Sequence, residues 1–402
     1  MKMRGPPGAS GVEPREEDAL PKGRIHILSA LVVAVASIGV QAQDNAGLRH
    51  VDRSGRWERT GRDVLRGFRN MYHATVIRVE DEEHPYRMWF MGWAADDTNS
   101  RFPGCDAIFL ARGRDLDQWD VYCGDHTWDA SPSPERWRPV VVARDKPYDG
   151  WHNGDPSVVR HRGRFYMAYS ATGPNTDGIR CGEPGDADGD LYCVMGAVSA
   201  DGIHWKRSEK PLLLYGPEVG RMGDARTDAF RWGMYHRPSL MFDDGCWRLW
   251  FDYWTGTDVA MGYAEGDEEA FLRGGFRVVR AGADPLLHEW PNPAVVKVNS
   301  TYYAFADPSG YGIGWPGRQL AEAESDDGIR WRILGYLPPD PDTPACHVPA
   351  PFVDRRNGAD WLVVFYACQV GGDPYDYRYD RIRYMRRPVE AARGNEQDRE
   401  QP

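Results

Sequence analysis

The chain has 402 residues, with 49 Lys and Arg against 60 Asp and Glu and a formal net charge of -11. This acidic balance disfavours a nucleic-acid or anionic-membrane partner. The 16 Trp, 20 Tyr, 44 Gly and 30 Pro favour many short strands and turns over a helical bundle.

Residues 1–42 are predicted to be a targeting segment. Lys22 and Arg24 precede the apolar run ILSALVVAVASIGV, and Val40-Gln41-Ala42 offers a small-residue cleavage site. The apolar run is short for a spanning helix, which needs about 20 residues. We therefore expect a secreted or periplasmic protein without stable membrane insertion. Residues 43–68 are predicted to be a lead-in, and residues 388–402 a disordered C-terminal tail.

The seven cysteines suit an oxidising compartment, but their odd number leaves at least one unpaired within a monomer. The sequence contains no CxxC or HxxxH pair, so a zinc site is less favoured than disulfides. The sequence leaves the disulfide connectivity open, and Cys246 is expected to be a buried, inert thiol. Closeness in sequence favours three disulfides: Cys105 with Cys123, Cys181 with Cys193, and Cys346 with Cys368.

Five segments share one outline: a polar or small lead, a short apolar strand, a turn, and an aromatic-rich strand. They recur about every 55 to 80 residues, which is room for a four-stranded sheet and its loops. A β-sandwich has no reason to repeat such a module. The sequence therefore predicts an all-β fold, a five-bladed β-propeller over residues 69–387. The segments begin at Tyr72, His152, His236, Asn292 and Val348.

An Asp-Gly turn closed by tryptophan forms a second repeat. The sequence SADGIHW at residues 199–205 is echoed by SDDGIRW at 325–331 and more loosely by RDLDQW at 114–119. Asp-Gly tolerates the backbone of a tight turn, and the tryptophan can cover the gap between blades. These residues are predicted to be structural.

The stretches DPSVV, FYMAYSA and SADGIHW together resemble the five-bladed propeller glycosidases: arabinanases and xylosidases, β-fructosidases, neoagarobiose hydrolases and mannoside phosphorylases. The resemblance extends from about Arg69 to Met385. It implies a carbohydrate substrate and a central pocket towards which the residue before each innermost strand points. Applied to this chain, it selects five pre-strand residues: His73, Asp155, Arg237, Asn292 and Pro349.

Asp155 is the strongest catalytic candidate, because a carboxylate in a shared pocket can act as base, nucleophile or proton donor. The alternative is an Asp-Pro turn that only starts a strand. Glu289, in HEWPNP, resembles the general acid of arabinanase-type enzymes, and a solvated loop glutamate is equally compatible with its sequence. The carboxyl separation would decide the outcome, with inversion at about 6.5 to 9.5 Å and retention near 5 Å.

Nine further residues are predicted to bind substrate through imidazole, guanidinium, amide, carboxylate or indole groups. Any single histidine among them could be a satisfied core residue, and a turn aspartate is the favoured reading of Asp307. The resemblance to the neoagarobiose hydrolases would also allow one of the imidazoles to act as a proton donor. The set is His73, Trp151, His152, His236, Arg237, Trp290, Asn292, Asp307 and His347.

Arg237 and His73 stand where arabinanase-type enzymes have aspartates, so three functions stay open. The first is a glycoside hydrolase with Asp155 and Glu289 as its acid–base pair. The second is a glycoside phosphorylase, with Arg237 and His236 holding phosphate. The third is a non-catalytic carbohydrate-binding propeller. No cofactor is predicted; some relatives hold a structural calcium, but no oxygen-rich motif here demands one. Oligomeric state is left open.

Overall fold

The computed structural model describes residues 45–53, 55–65, 70–93, 106–131, 133–144, 146–150, 152–174, 190–214, 235–255, 258–315, 317–343, 345–356, 359–369 and 380–389. All of them belong to one compact unit, Gln43–Pro402. Within these ranges, helix is confined to short pieces, including 3-10 turns at Asn45–Arg49 and Gly310–Ile313 and the four-residue α1 (Ala270–Arg273). None of the helices in the described ranges has the length and apolar character that crossing a bilayer requires.

Strands make up most of the described chain and are numbered here from the N-terminus. In chain order they are β1 (Glu58–Arg59), β2 (Asn70–Arg78), β3 (Tyr86–Trp93), β4 (Asp106–Gly113), β5 (Trp119–Gly124), β6 (Thr127–Asp129), β7 (His152–His161), β8 (Arg164–Pro174), β9 (Asp190–Ser199), β10 (Lys206–Arg207), β11 (Leu213–Leu214), β12 (His236–Asp243), β13 (Cys246–Trp254), β14 (Val259–Gly266), β15 (Arg277–Arg280), β16 (Ala294–Val298), β17 (Thr301–Ala306), β18 (Ala321–Ser325), β19 (Arg332–Tyr336), β20 (Cys346–Arg356), β21 (Ala359–Gln369) and β22 (Asp380–Pro388).

These strands form five antiparallel sheets, each one a blade. The strand orders are β2-β3-β4-β5-β6, β7-β8-β9-β10 with β11 also on β9, β12-β13-β14-β15, β16-β17-β18-β19, and β20-β21-β22-β1. The first strands of the blades contact one another in a ring, with β2 against β7 and β20, and β12 against β7 and β16. Contact between β16 and β20 completes the ring. The predicted five-bladed β-propeller is confirmed.

The fifth blade is built from both ends of the described chain. Its outermost strand β1 pairs with β22, with Glu58 opposite Arg386. Leu65 forms a further bridge to Ile382, and Val51 bridges to Tyr336 in the fourth blade. The predicted lead-in is therefore partly a propeller strand, because its backbone groups supply the hydrogen bonds that close the ring.

The Asp-Gly turns connect successive blades, as their predicted structural role requires. In the second blade, the Ser199 hydroxyl oxygen accepts the Gly202 N–H at 2.8 Å. The Trp89 indole N–H, from the second strand of the first blade, donates to the Gly202 carbonyl at 2.9 Å. Trp250, in the third blade, makes the equivalent hydrogen bond of 2.9 Å to the Gly328 carbonyl of the fourth blade. The buried indole donors of Trp89 and Trp250 are thus satisfied by turns of the adjacent blade.

Gly202→Ala is expected to destabilise the protein by about 3 kcal/mol. A Cβ there would lie 2.7 Å from the Trp89 ring, and the residue has a φ of 79°, so overpacking adds to backbone strain. Gly245→Ala is the matched control, because Gly245 has a φ of 78° with no atom within 4 Å of its added Cβ. It should cost about 1 kcal/mol. Denaturant unfolding would measure both, and equal losses would contradict the packing argument.

The structure has no disulfide among the cysteines it describes. Cys346 and Cys368 lie directly opposite each other on β20 and β21, but as buried free thiols. Cys123 is also a free thiol, and its predicted partner Cys105 lies outside the described residues, as does Cys181. Cys246, predicted to be buried, is a free thiol that remains partly exposed.

Candidate active site

Each innermost strand has a residue in the left-handed backbone region, either among its first four residues or, in the fourth blade, two residues before the strand begins. All five have a φ between 46° and 51°, and non-glycine residues with such strain cluster at functional sites. We call them the lead residues: His73, Asp155, Arg237, Asn292 and Val348. The fifth is therefore Val348 and not Pro349, because the repeated proline follows the lead residue instead of occupying its place.

Two buried aspartates hold the lead residues of the third and fourth blades. The Asp252 carboxylate, on β13, accepts hydrogen bonds from the Arg237 guanidinium at 3.1 Å and from the Asn292 backbone N–H at 2.9 Å. Asp307, just after β17, accepts the Asn292 side-chain amide at 2.7 Å and the Val348 backbone N–H at 3.3 Å. Each carboxylate thus joins the lead side chain of its own blade to the lead backbone of the next.

The second blade breaks this pattern at the equivalent position, where it has Ser170. The Ser170 hydroxyl oxygen accepts the Arg237 backbone N–H at 2.9 Å. The Asp155 carboxylate instead lies 3.1 Å from Nδ1 of His73 and 3.6 Å from Nε2 of His236. The Asp155 side chain therefore contacts residues of the first and third blades, whereas Arg237 and Asn292 bond to an aspartate of their own blade.

The charges around Asp155 keep its carboxylate ionised. Burial opposes ionisation, but the His73 ring and then other neighbours, including Arg237, outweigh burial and hold the pKa of Asp155 well below its usual range. Burial, followed by the charge of Arg237, lowers the pKa of His236 to about 4, so His236 is neutral at pH 7. The pKa of Arg237 is raised, because Asp252 and then Asp155 outweigh its burial.

A cavity of about 230 Å³ opens beside this carboxylate, and we call it the Asp155 cavity. A second cavity of about 270 Å³ lies between the five innermost strands, with His73 in its lining. The Asp155 cavity therefore sits at the end of the propeller axis where the innermost strands begin. It is lined by Tyr72, Met91, Asp106, His152, Gly154, Asp155, Ser170, Ala171, Thr172, Tyr192, His236 and Arg237.

A comparison with known proteins addresses the fold. No protein-family model and no curated protein sequence matches the chain. A solved structure of a BT0996 RGII complex aligns with a TM-score of 0.53 at 15% identity, over 79% of this sequence and 87% of that one. Zg3597, a family 117 glycoside hydrolase from the marine bacterium Zobellia galactanivorans, aligns with a TM-score of 0.50 at 16% identity, over 82% of this sequence and 90% of that one.

The fold is that of the five-bladed propeller glycoside hydrolases. A structure described as "Glycoside hydrolase" adds a third example, with a TM-score of 0.50 at 14% identity over 79% of this sequence and 87% of that one. At such identities the similarity establishes the fold, and the chemistry has to be argued from the residues of this protein.

The propeller brings together four of the residues predicted to bind substrate. His152, His236 and Arg237 line the Asp155 cavity, and His73 contacts the Asp155 carboxylate from the first blade. Trp151, a further predicted residue, lies outside the described residues.

Three other predicted residues lie in buried networks. Asn292 and Asp307 bond each other, and Arg318 lies 3.0 Å from the Asp307 carboxylate. His347 contacts Asp380 at 3.0 Å, and both side chains are buried. These networks join strands and blades, and none of the three residues predicted to bind substrate lines the Asp155 cavity.

Trp290 and Glu289 lie away from the Asp155 cavity. Trp290 is fully buried in the core between the third and fourth blades, so its ring has no face available for stacking on a sugar. Glu289 is exposed and lines a different cavity of about 510 Å³, beside Asp258 and Tyr336. The structure therefore does not assemble the predicted Asp155–Glu289 pair in one cavity.

Several cavity residues have no counterpart among the sequence-predicted set. Tyr72 and Tyr192 line the Asp155 cavity, and so does Asp106, whose carboxylate lies 2.8 Å from Nδ1 of His152. One signal for the supporting residues was present in the sequence. The residues fifteen positions after the second, third and fourth leads are Ser170, Asp252 and Asp307, the groups that accept the lead backbone N–H of the following blade.

In the part of the chain that the structure describes, no group of three or more His, Cys, Asp or Glu side chains could hold a metal ion.

The stability of the protein is expected to fall between pH 7 and pH 5 in part through His236. The unfolded protein protonates this imidazole below about pH 6.5, whereas the folded pKa is about 4, so unfolding takes up a proton and becomes easier as pH falls. The loss over this range should be about 2 kcal/mol. His236→Gln should remove that part of the slope in denaturant unfolding at several pH values. Identical slopes would contradict the prediction.

Proposed function

We propose that this propeller is a glycoside hydrolase whose reaction takes place in the Asp155 cavity. The observation that carries the proposal is the buried, ionised carboxylate of Asp155 at the axial end of the innermost strands. A glycosidic bond breaks through a positively charged, oxocarbenium-like transition state. A fixed negative charge stabilises that state more than it stabilises a neutral sugar, which is the requirement for catalysis.

Asp155 has two chemical options in this role. As a nucleophile it would attack the anomeric carbon, and as a base it would remove a proton from the attacking water. Neutral His236 and the fixed Arg237 guanidinium offer hydrogen-bonding groups to sugar hydroxyls. Asp252 holds the guanidinium at 3.1 Å, so the position of Arg237 is set before substrate binds.

Charge balance favours water over phosphate as the acceptor. The Arg237 charge is already matched by Asp252, and Asp155 adds another negative charge to the cavity. A phosphate dianion would meet little net positive charge there. This supports a hydrolase over the phosphorylase alternative that Arg237 and His236 suggest from sequence.

We also infer that the enzyme is exported. The support is the sequence alone: two basic residues, a short apolar run and a small-residue cleavage site before Gln43. Sequencing the N-terminus of the protein recovered outside the cytoplasm would test it, and an intact leader on cytoplasmic protein would contradict it.

The function is tested by incubating the purified protein with a panel of plant and algal oligosaccharides, with and without phosphate. Reducing-sugar release that does not depend on phosphate is the expected result. Sugar phosphates formed only with added phosphate would make the protein a phosphorylase. Saturable glycan binding without any turnover would make it a binding protein.

A further inference from the structure

We infer that His152, supported by Asp106, delivers the proton to the leaving oxygen of the scissile glycosidic bond. This inference rests on the proposed function, since it names the acid that complements Asp155 in the same cavity. It replaces Glu289, which lines a separate cavity, in that role.

Two blades contribute this pair. His152 begins β7 of the second blade, and Asp106 begins β4 of the first. The Asp106 carboxylate lies 2.8 Å from Nδ1 of His152. Asp106 is buried, whereas about a third of the His152 side chain is exposed (33%). The carboxylate thus engages one ring nitrogen of the imidazole, and both residues line the cavity.

The backbone strain at Asp155 explains how one strand presents two catalytic groups. Residues three apart on a regular strand point to opposite faces, which would separate His152 from Asp155. The left-handed φ of Asp155, 47°, and the register shift between Gly154 and Ser157 interrupt that alternation. Both side chains therefore line the same cavity.

The bond to Asp106 suits His152 to proton transfer. A carboxylate at Nδ1 fixes the ring orientation and tautomer and stabilises the imidazolium form. The remaining ring nitrogen, Nε2, is then the atom that exchanges a proton. Burial raises the pKa of Asp106, and the imidazole opposes that rise through its hydrogen bond and charge.

The other titratable groups around the cavity are less suited to donate the proton. His236 is neutral at pH 7, with a pKa of about 4. Burial raises the pKa of Tyr72 well above its usual value, and the carboxylates of Asp106 and Asp155 add to that rise. Arg237 is held by Asp252, and the rings of Tyr192 and His236 pack in a T-shaped arrangement with centroids 5.3 Å apart.

The proton balance of the reaction closes with these two groups. Nε2 of His152 gives its proton to the glycosidic oxygen as the bond from that oxygen to the anomeric carbon breaks, and the electron pair leaves with the oxygen. The oxygen of water forms the new bond to the anomeric carbon. In the inverting route Asp155 accepts the proton of that water, and proton exchange with solvent restores both groups. In the retaining route Asp155 first bonds to the anomeric carbon, and the water that displaces it as a carboxylate gives its proton to Nε2 of His152.

The test compares leaving groups. Wild type and His152→Gln would be assayed on phenyl and 2,4-dinitrophenyl glycosides of the sugar that the oligosaccharide panel identifies. A dinitrophenolate leaves without protonation, whereas a phenolate needs an acid. We expect His152→Gln to lower kcat/KM on the phenyl glycoside by about 10²- to 10⁴-fold and on the dinitrophenyl glycoside by less than about tenfold. The alkaline limb of the pH profile should also disappear.

Asp106→Asn and Glu289→Gln are the companion variants. Asp106→Asn should move the alkaline limb to lower pH, because the imidazolium loses its carboxylate, and thermal melting would confirm that the protein is folded. Equal losses on both substrates for His152→Gln, with an unchanged pH profile, would overturn the inference. Leaving-group-dependent loss in Glu289→Gln instead would assign the acid to Glu289. Wild type that cleaves no glycoside would overturn the proposed function itself.

Discussion

Asp155→Asn is expected to lower kcat/KM for glycoside cleavage by about 10³-fold or more. The substitution keeps the shape and the hydrogen-bonding capacity towards His73, but it removes the negative charge that faces the cavity. The neighbours that hold the pKa of Asp155 below its usual range show that the folded protein favours the ionised form. An amide can neither attack the anomeric carbon nor accept a proton from water.

The measurement is steady-state kinetics on the substrate that the panel identifies, with unfolding curves to establish that the variant is folded. Asp354→Asn is a matched control. Asp354 is also buried and accepts the Tyr86 hydroxyl at 2.9 Å, but between the first and fifth blades and away from the Asp155 cavity. It should retain activity close to wild type. An Asp155→Asn protein with more than about a tenth of wild-type activity would exclude the carboxylate from catalysis.

Asp307→Ala is expected to lower the free energy of unfolding by about 3 kcal/mol. The Asp307 side chain is fully buried and binds Arg318, the Asn292 amide and the Val348 backbone N–H. Removing it takes the carboxylate away from a largely buried guanidinium and leaves two buried donors without this acceptor. The lead residues of the fourth and fifth blades would both lose an anchor.

Asp307→Asn separates charge from hydrogen bonding in the same position. It retains an acceptor for the Asn292 amide or the Val348 N–H, so its loss of stability should be smaller than that of Asp307→Ala. Denaturant unfolding measures both losses. The sequence interpretation of Asp307 as a substrate-binding group leads to the opposite result, in which stability changes by less than about 1 kcal/mol and KM rises.

The site was only partly accessible to sequence reasoning. The pre-strand positions are marked by a repeated proline, so Asp155, Arg237 and Asn292 could be located from the pattern. Their roles differ, because the side chains of Arg237 and Asn292 are each held by an aspartate of their own blade. The Asp155 side chain instead contacts histidines of other blades. That difference depends on which residue stands fifteen positions later and on side-chain distances across a blade boundary.

The fourth-blade segment HEWPNP shows why local pattern was insufficient. The Glu289 backbone N–H donates to Asp258 at 2.8 Å, and the Trp290 N–H donates to the Val259 carbonyl at 2.8 Å. These bonds attach the segment to the start of β14 and direct Trp290 into the core. Glu289, with a φ of 49°, then lies in a neighbouring cavity. The position of Glu289, three residues before the lead residue Asn292, gave no indication of this orientation.

The sequence by itself determined the repeated module, the number of blades, the Asp-Gly turns and the positions before the innermost strands. These features follow from local chemistry: alternating apolar residues, turn residues, and prolines at fixed offsets. Tertiary structure alone decided that β1 completes the fifth blade, that Asp106 pairs with His152, and that Asp155 faces His73 and His236. Each of these contacts joins blades or distant parts of the chain, and such pairings depend on ring closure rather than on any local pattern.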